Sequence, residues 1–184
     1  MQLSEIHIVA GLQEEIPNLE MMERIINMYG SFLTIRDNYV YFVHQSDYLT
    51  VNVSDVIFPA GPGRIYYDMF SRSLNALSRT LRRNIYNLKD LGGMIKDVLD
   101  PDPLGSIRYS CVFWVNHLCE ADDQSLHVRK ELPDEGAILT FLRKHFLHWL
   151  ESLSLIYKLS NGVLSIRKLL HKVWVCQIPP AIIL

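Results

Sequence analysis

Four groups of histidine, carboxylate, thiol and guanidinium side chains stand close enough along this sequence to suggest chemistry. His44, Ser46 and Asp47 contain the letters of a hydrolase relay. A relay needs nucleophile, base and orienting acid brought together from separate elements, and no nucleophile elbow is present, so adjacency argues against it. His44 reads better as a histidine at a strand end leading into a helix N-terminus, where one imidazole nitrogen can donate to an anion. A histidine satisfied in the core is the other reading. His145, His148 and Glu151 recur at i, i+3 and i+6 on one helix. Zinc would need a third or fourth ligand from elsewhere, and the neighbouring Phe146 and Trp149 favour two histidines flanking a packed stripe. Cys111, His117 and Cys119 are spread around a helix by their spacing, with Cys111 on its apolar side, as befits a buried structural thiol. Arg79, Arg82 and Arg83 could meet phosphates, but cations also complement the C-terminal end of a helix, and that reading is preferred.

The commonest phosphate-binding device is missing. Gly-Lys occurs nowhere in the sequence, and Gly61-Pro-Gly63 lacks the lysine and hydroxyl that hold phosphate and magnesium, so it reads as a linker. With a net charge of −2 the chain has no global field for nucleic acid or an anionic membrane. Three cysteines without a CxxC pair fit reduced thiols in a reducing compartment. No basic leader precedes an apolar run, and no run approaches the roughly 20 residues a membrane helix needs. The expectation is a soluble cytoplasmic protein without cofactor, metal or catalytic residues of its own.

The elements that would position His44 centre on residues 30–46. Phe32 and the run Val40 to Val43 suit a half-buried strand surface, and Asp37-Asn38 between the two runs tolerates a tight reversal. The spacing predicts a β-hairpin. A helix over Leu3 to Leu12, capped by Ser4 and closed by Gly11, precedes it. A second helix, entered at Pro17 and closed by Gly30, carries Leu19, Met22, Ile25, Ile26 and Tyr29 on one face. Asp47-Tyr-Leu49 should open a further helical turn. Helix, hairpin and helix together read as a partial winged helix over 1–58, bounded by the break Pro59-Ala-Gly-Pro-Gly63.

Beyond the break, Phe70, Leu74, Leu77, Leu81, Ile85 and Leu88 step by four and three, which predicts one helix from Arg64 to about Leu88. Asp102 and Pro103 start the next, with the stripe Leu104, Ile107, Cys111, Trp114 and Leu118. Pro133-Asp-Glu135 opens another, carrying Ile138, Leu142, Trp149, Leu153 and Ile156, and Asn161-Gly162 breaks it. A last helix runs from about Val163 to Leu170. The stretch from Val173 to Leu184 has two prolines and no helical period. The fold class is mainly α: one β-hairpin in a partial winged helix, then a helical bundle or superhelical domain over 64–170 and a divergent apolar tail over 171–184.

Long motifs carry a family resemblance. Gly30-Ser-Phe-Leu-Thr-Ile-Arg36, Val40-Tyr-Phe-Val-His-Gln-Ser46, Ile57-Phe-Pro-Ala-Gly-Pro-Gly63, Phe70-Ser-Arg-Ser-Leu74, Ser78-Arg-Thr-Leu-Arg-Arg83, Asp100-Pro-Asp-Pro-Leu104, Arg108-Tyr-Ser-Cys111 and Phe146-Leu-His-Trp-Leu-Glu-Ser-Leu-Ser154 resemble the fungal NACHT-type signal-transducing NTPases. Many of these carry WD repeats and are linked to vegetative incompatibility. The likeness covers residues 1 to about 170, the part that follows the NTPase core. It implies that the winged helix folds back on that core and that His44, with Ser46 and Tyr48 after it, matches a histidine sensing the β-phosphate of ADP. It also implies that activation moves the winged helix and that the helical segment passes the movement to sensor repeats. The sequence departs from the family where Ser46 abuts Asp47, two residues short of the usual spacing, a change worth about 200° of helix rotation. Its last fourteen residues also diverge.

The expected function is therefore a non-catalytic regulatory fragment whose partners are a NACHT core and sensor or repeat domains. A stand-alone helical protein-interaction adaptor is the alternative. DNA binding fits poorly, because the second helix offers two glutamates against one arginine and the hairpin only Arg36 beside Asp37.

Overall fold

The computed structural model describes residues 1–11, 19–28, 33–42, 61–89, 102–122, 125–133 and 135–177. Among them the chain is mainly α with one two-stranded hairpin: α1 (Leu3–Ala10), α2 (Leu19–Met28), β1 (Leu33–Arg36), β2 (Tyr39–Phe42), α3 (Pro62–Thr80), α4 (Arg108–Glu120), α5 (Leu126–Glu131), α6 (Ala137–Leu155) and α7 (Leu159–Gln177). His44, Ser46, Asp47 and Tyr48 lie outside the described residues, as do the helix entry at Pro17, Gly30 and Gly92-Gly93.

The hairpin is antiparallel, with Ile35 opposite Val40 and Arg36 opposite Tyr39. Its turn residues Asp37 and Asn38 both have positive φ, 49° and 63°, the left-handed pair that suits the twist of a two-residue turn. Ile35 and Val40 pack with Leu3, Ile6, Met22 and Ile26 into a small apolar cluster.

The larger core surrounds α4. Cys111, Trp114, Val115 and Leu118 are buried, as are Leu104 and Ile107 just before the helix, so the predicted stripe is the core-facing one. Trp114 meets Phe70 of α3 and Phe141 and Trp149 of α6 at centroid distances of 6.2, 5.5 and 5.7 Å. The Trp149 indole N–H donates to the Cys111 carbonyl at 2.8 Å, which satisfies the polar edge of a fully buried ring.

Several helix boundaries differ from the sequence expectation. α1 is entered from Gln2, not Ser4, with the Glu5 carboxylate accepting the Gln2 N–H at 2.7 Å. α3 begins at Pro62 and ends at Thr80, not Leu88. Leu81 is already extended, and Asn84 at φ 50° brackets Leu88 with two side-chain hydrogen bonds. Leu81 and Ile85 still reach the core, but on turn backbone. α6 starts at Ala137, not Pro133, because Pro133 accepts the Gly136 N–H in a turn and Glu131 of α5 accepts the Ala137 amide. α6 ends at Leu155, where Tyr157 turns left-handed at φ 57°. Asn161-Gly162 does not break the chain: both lie inside α7, which also takes in residues 171–177 of the expected tail. At Gly162 a Cβ would stand 2.6 Å from Leu153 Cδ1, so a larger residue would require that leucine to shift.

Replacing Trp149 by Phe should lower unfolding free energy by about 2–3 kcal/mol, through the lost bond and the gap left behind. The same change at Trp174, 65% exposed, should stay within about 0.5 kcal/mol. Urea denaturation followed by circular dichroism measures both.

Candidate functional site: the joint between hairpin and helical core

α1 touches both parts of the molecule. On the hairpin side its bonds are to backbone: Leu3 N–H donates to Asn38 O at 2.8 Å and Val40 N–H to Met1 O at 3.0 Å. Gln2 Nε2 reaches the Tyr39 hydroxyl at 3.0 Å. On the core side the buried Glu5 carboxylate accepts the Tyr109 N–H in the first turn of α4 at 2.5 Å. That N–H has no partner within its own helix, and an anion is favoured at this end of the helix dipole. Arg72 of α3 donates to the Val9 carbonyl at 3.1 Å. Gly11, at φ 67°, closes α1, and a side chain there would collide with the Arg72 guanidinium.

A second cluster steadies the same end of α4. Asp102 accepts from the Leu104 N–H, the Tyr86 hydroxyl, and Nε and Nη2 of Arg108. Burial works against the Asp102 carboxylate, but these four donors together hold its pKa below the ordinary value. Burial and the bond to Asp102 push the Tyr86 hydroxyl up to about 12. At the far end of α4, the buried Lys172 of α7 donates to the carbonyls of Cys119 and Ala121 at 3.0 and 3.2 Å.

The other sequence candidates separate. His145 and His148 stand edge to face at 5.7 Å, but the Glu151 carboxylate accepts the Asn84 N–H and so serves the turn after α3. Cys111 is buried, its thiol pushed up to about 12 by burial, while Cys119 is half-buried further along α4. His117 lies between Tyr66 and Tyr109, at 6.1 and 5.6 Å. Arg79 sits in the last turn of α3, and Arg82 and Arg83 are exposed beyond it. No group of three metal-binding side chains occurs among the described residues. The arrangement has the means to hold one element against another. Sequence reasoning missed Glu5 and Lys172. For Lys172 a signal existed, since Gly162, Ser165, Leu169 and Lys172 recur at helical spacing.

Glu5→Ala should cost about 2–3 kcal/mol by leaving two backbone donors without their acceptor, with Glu5→Gln costing less. Hydrogen exchange at the Tyr109 amide should speed up in the same order. Burial lowers the pKa of both His117 and His145 from 6.5, with Lys144 and His148 adding to the effect at His145. Each therefore contributes stability that is present above pH 6.5 and lost as pH falls through its folded value. The urea midpoint should drop on acidification below pH 6.5, and His145→Phe, which keeps the ring stacked on Phe141, should flatten that limb.

No family model matches the sequence, and no solved structure matches it. The chain is similar to the vegetative incompatibility protein HET-E-1 of Podospora anserina, at 41% identity over 170 residues. The match takes in 82% of this chain and 12% of the length of that protein. No helix among the described residues is long and apolar enough to cross a membrane. The likeness to a fungal incompatibility protein, long but confined to a small share of it, supports the family resemblance carried by the sequence motifs.

Proposed function

We propose that this chain is a non-catalytic regulatory segment of a NACHT-type signalling protein, coupling the nucleotide state of an NTPase core to sensor repeats. The likeness to HET-E-1 carries the reading. Residues 1–58 act as the winged-helix part and 64–170, continued by the rest of α7, as the helical arm. His44 donates to the β-phosphate of ADP held by the core, so that the ADP-bound state keeps the winged helix docked. The joint supports this coupling. α1 is bonded to the hairpin through backbone groups and to α3 and α4 through Arg72 and Glu5. A displacement of the hairpin is thereby passed to the start of the central helix. The partners are the core on one side and the sensor domains on the other, and the working compartment is the cytoplasm.

Calorimetry on the isolated chain should show no tight stoichiometric binding of ADP or ATP. Mixed with a separately produced nucleotide-binding core of the resembled family, the chain should co-elute more strongly with ADP than with ATP. His44→Ala should weaken the ADP-dependent association by about tenfold, the worth of one charge-assisted hydrogen bond. Tight nucleotide binding by the chain alone, or association indifferent to the nucleotide, would overturn the reading.

A further inference from the structure

α7 carries hydrophobic side chains on both faces. Inward, Gly162, Ser165, Leu169 and Lys172 are buried, and the half-buried Ile166 and Val173 pack against the core beside them. Its outward face carries Val163, Leu170 and Trp174, exposed by 58, 65 and 65%. These stand at i, i+7 and i+11, and Arg167 occupies i+4 of the same stripe. Along one flank of the stripe runs an open groove of about 670 Å³ against α4, lined in part by Leu164, Lys168, His171 and Val175. An apolar helix face of this length is uncommon on a surface that meets only water.

Charge limits what can cover it. Residues 137–177 hold six lysines and arginines and a single acidic residue, Glu151, in a chain of net charge −2. Glu151 faces Asn84, and Glu120 of α4 is the one carboxylate lining the groove, where Arg167 and Lys168 outnumber it. A second copy docking through the same face would set Arg167 against Arg167, an unfavourable like-charge contact. A lipid surface suits helices that segregate cations from the apolar face. Here Arg167 interrupts the apolar stripe and would be carried into the acyl region with it.

We propose that the outer face of α7 is a docking site for an amphipathic helix of another polypeptide. That helix has an apolar stripe to cover Val163, Leu170 and Trp174, and glutamate or aspartate flanks to pair with Arg167 and Lys168. Arg167 then sets register, because a carboxylate must meet it within the seam. The inference is independent of His44 and of nucleotide.

Trp114 and Trp149 are buried while Trp174 is exposed, so a change in tryptophan emission on docking reports on α7. The full chain is titrated with a synthetic helical peptide of about three leucine heptads flanked by glutamate. A lysine-flanked twin and vesicles of phosphatidylcholine with phosphatidylserine form the other arms. The glutamate peptide should bind and shift Trp174 emission to the blue, with affinity falling at least about tenfold for Arg167→Glu and for Trp174→Ala. Arg167→Glu should gain affinity for the lysine peptide. Both substitutions are on exposed positions, and circular dichroism checks that each variant is folded. No binding, equal binding of the two peptides, vesicle binding without peptide binding, or concentration-dependent dimerisation lost in Trp174→Ala would each overturn the proposal.

Discussion

The central helix α4 is held at its two ends by opposite charges that arrive from opposite ends of the chain. Glu5 takes the Tyr109 amide across 104 residues, and Lys172 takes the Cys119 and Ala121 carbonyls across 53 and 51. Each side chain satisfies backbone groups that the helix cannot satisfy itself, and each carries the sign that the helix dipole favours at that end. Both are buried, so the interactions escape most of the solvent screening that makes surface ion pairs weak. Cys111, Trp114, Val115 and Leu118 project from this one helix into the core. The core is therefore complete only when α1 and α7 have both docked.

The N-terminal cap does more than close a helix. The same Glu5 carboxylate fixes the first turn of α1 through the Gln2 N–H and the first turn of α4 through the Tyr109 N–H. Leu3, two residues away, belongs to the hairpin cluster, while Ile8 packs against the larger core. A helix of two turns thus spans two apolar clusters with one shared charged group. Leu3 and the two residues before the helix bond the hairpin through two backbone pairs and the Gln2 side chain, which fixes orientation as well as distance. This geometry fixes the hairpin cluster and the start of α4 relative to one short helix.

What the sequence revealed were features whose causes are local. Asp37-Asn38 makes its turn because these two residues tolerate positive φ, and the two strand runs beside it fix the register. Burial was legible as well: Phe70, Leu74, Leu77, Leu81 and Ile85 are all in the core. The backbone that delivers them was not, because Leu81 and Ile85 keep a helical spacing in sequence after the helix has stopped. Gly162 misled for a related reason. A glycine marks either a break or a close approach, and the Leu153 methyl that decides between them lies on another helix. Glu5 and Lys172 look like surface charges until the elements they cap are known. His44, the residue singled out by resemblance, lies outside the described residues.

The orientation of α7 follows from the same capping. Lys172 can reach the end of α4 only if its own face of α7 turns inward, and that face brings Gly162 and Ser165 with it. Small residues there let α7 approach Leu153 of α6 closely. Val163, Leu164, Leu170 and Trp174 are on the outside as a result, while Ile166, Leu169 and Val173 pack on the core. An apolar run at the end of a helix therefore looked, in sequence, like a tail without period, because its buried positions are the ones with little hydrophobic signal. The hydrophobic surface that this arrangement turns outward is the consequence of spending an inward position on a lysine.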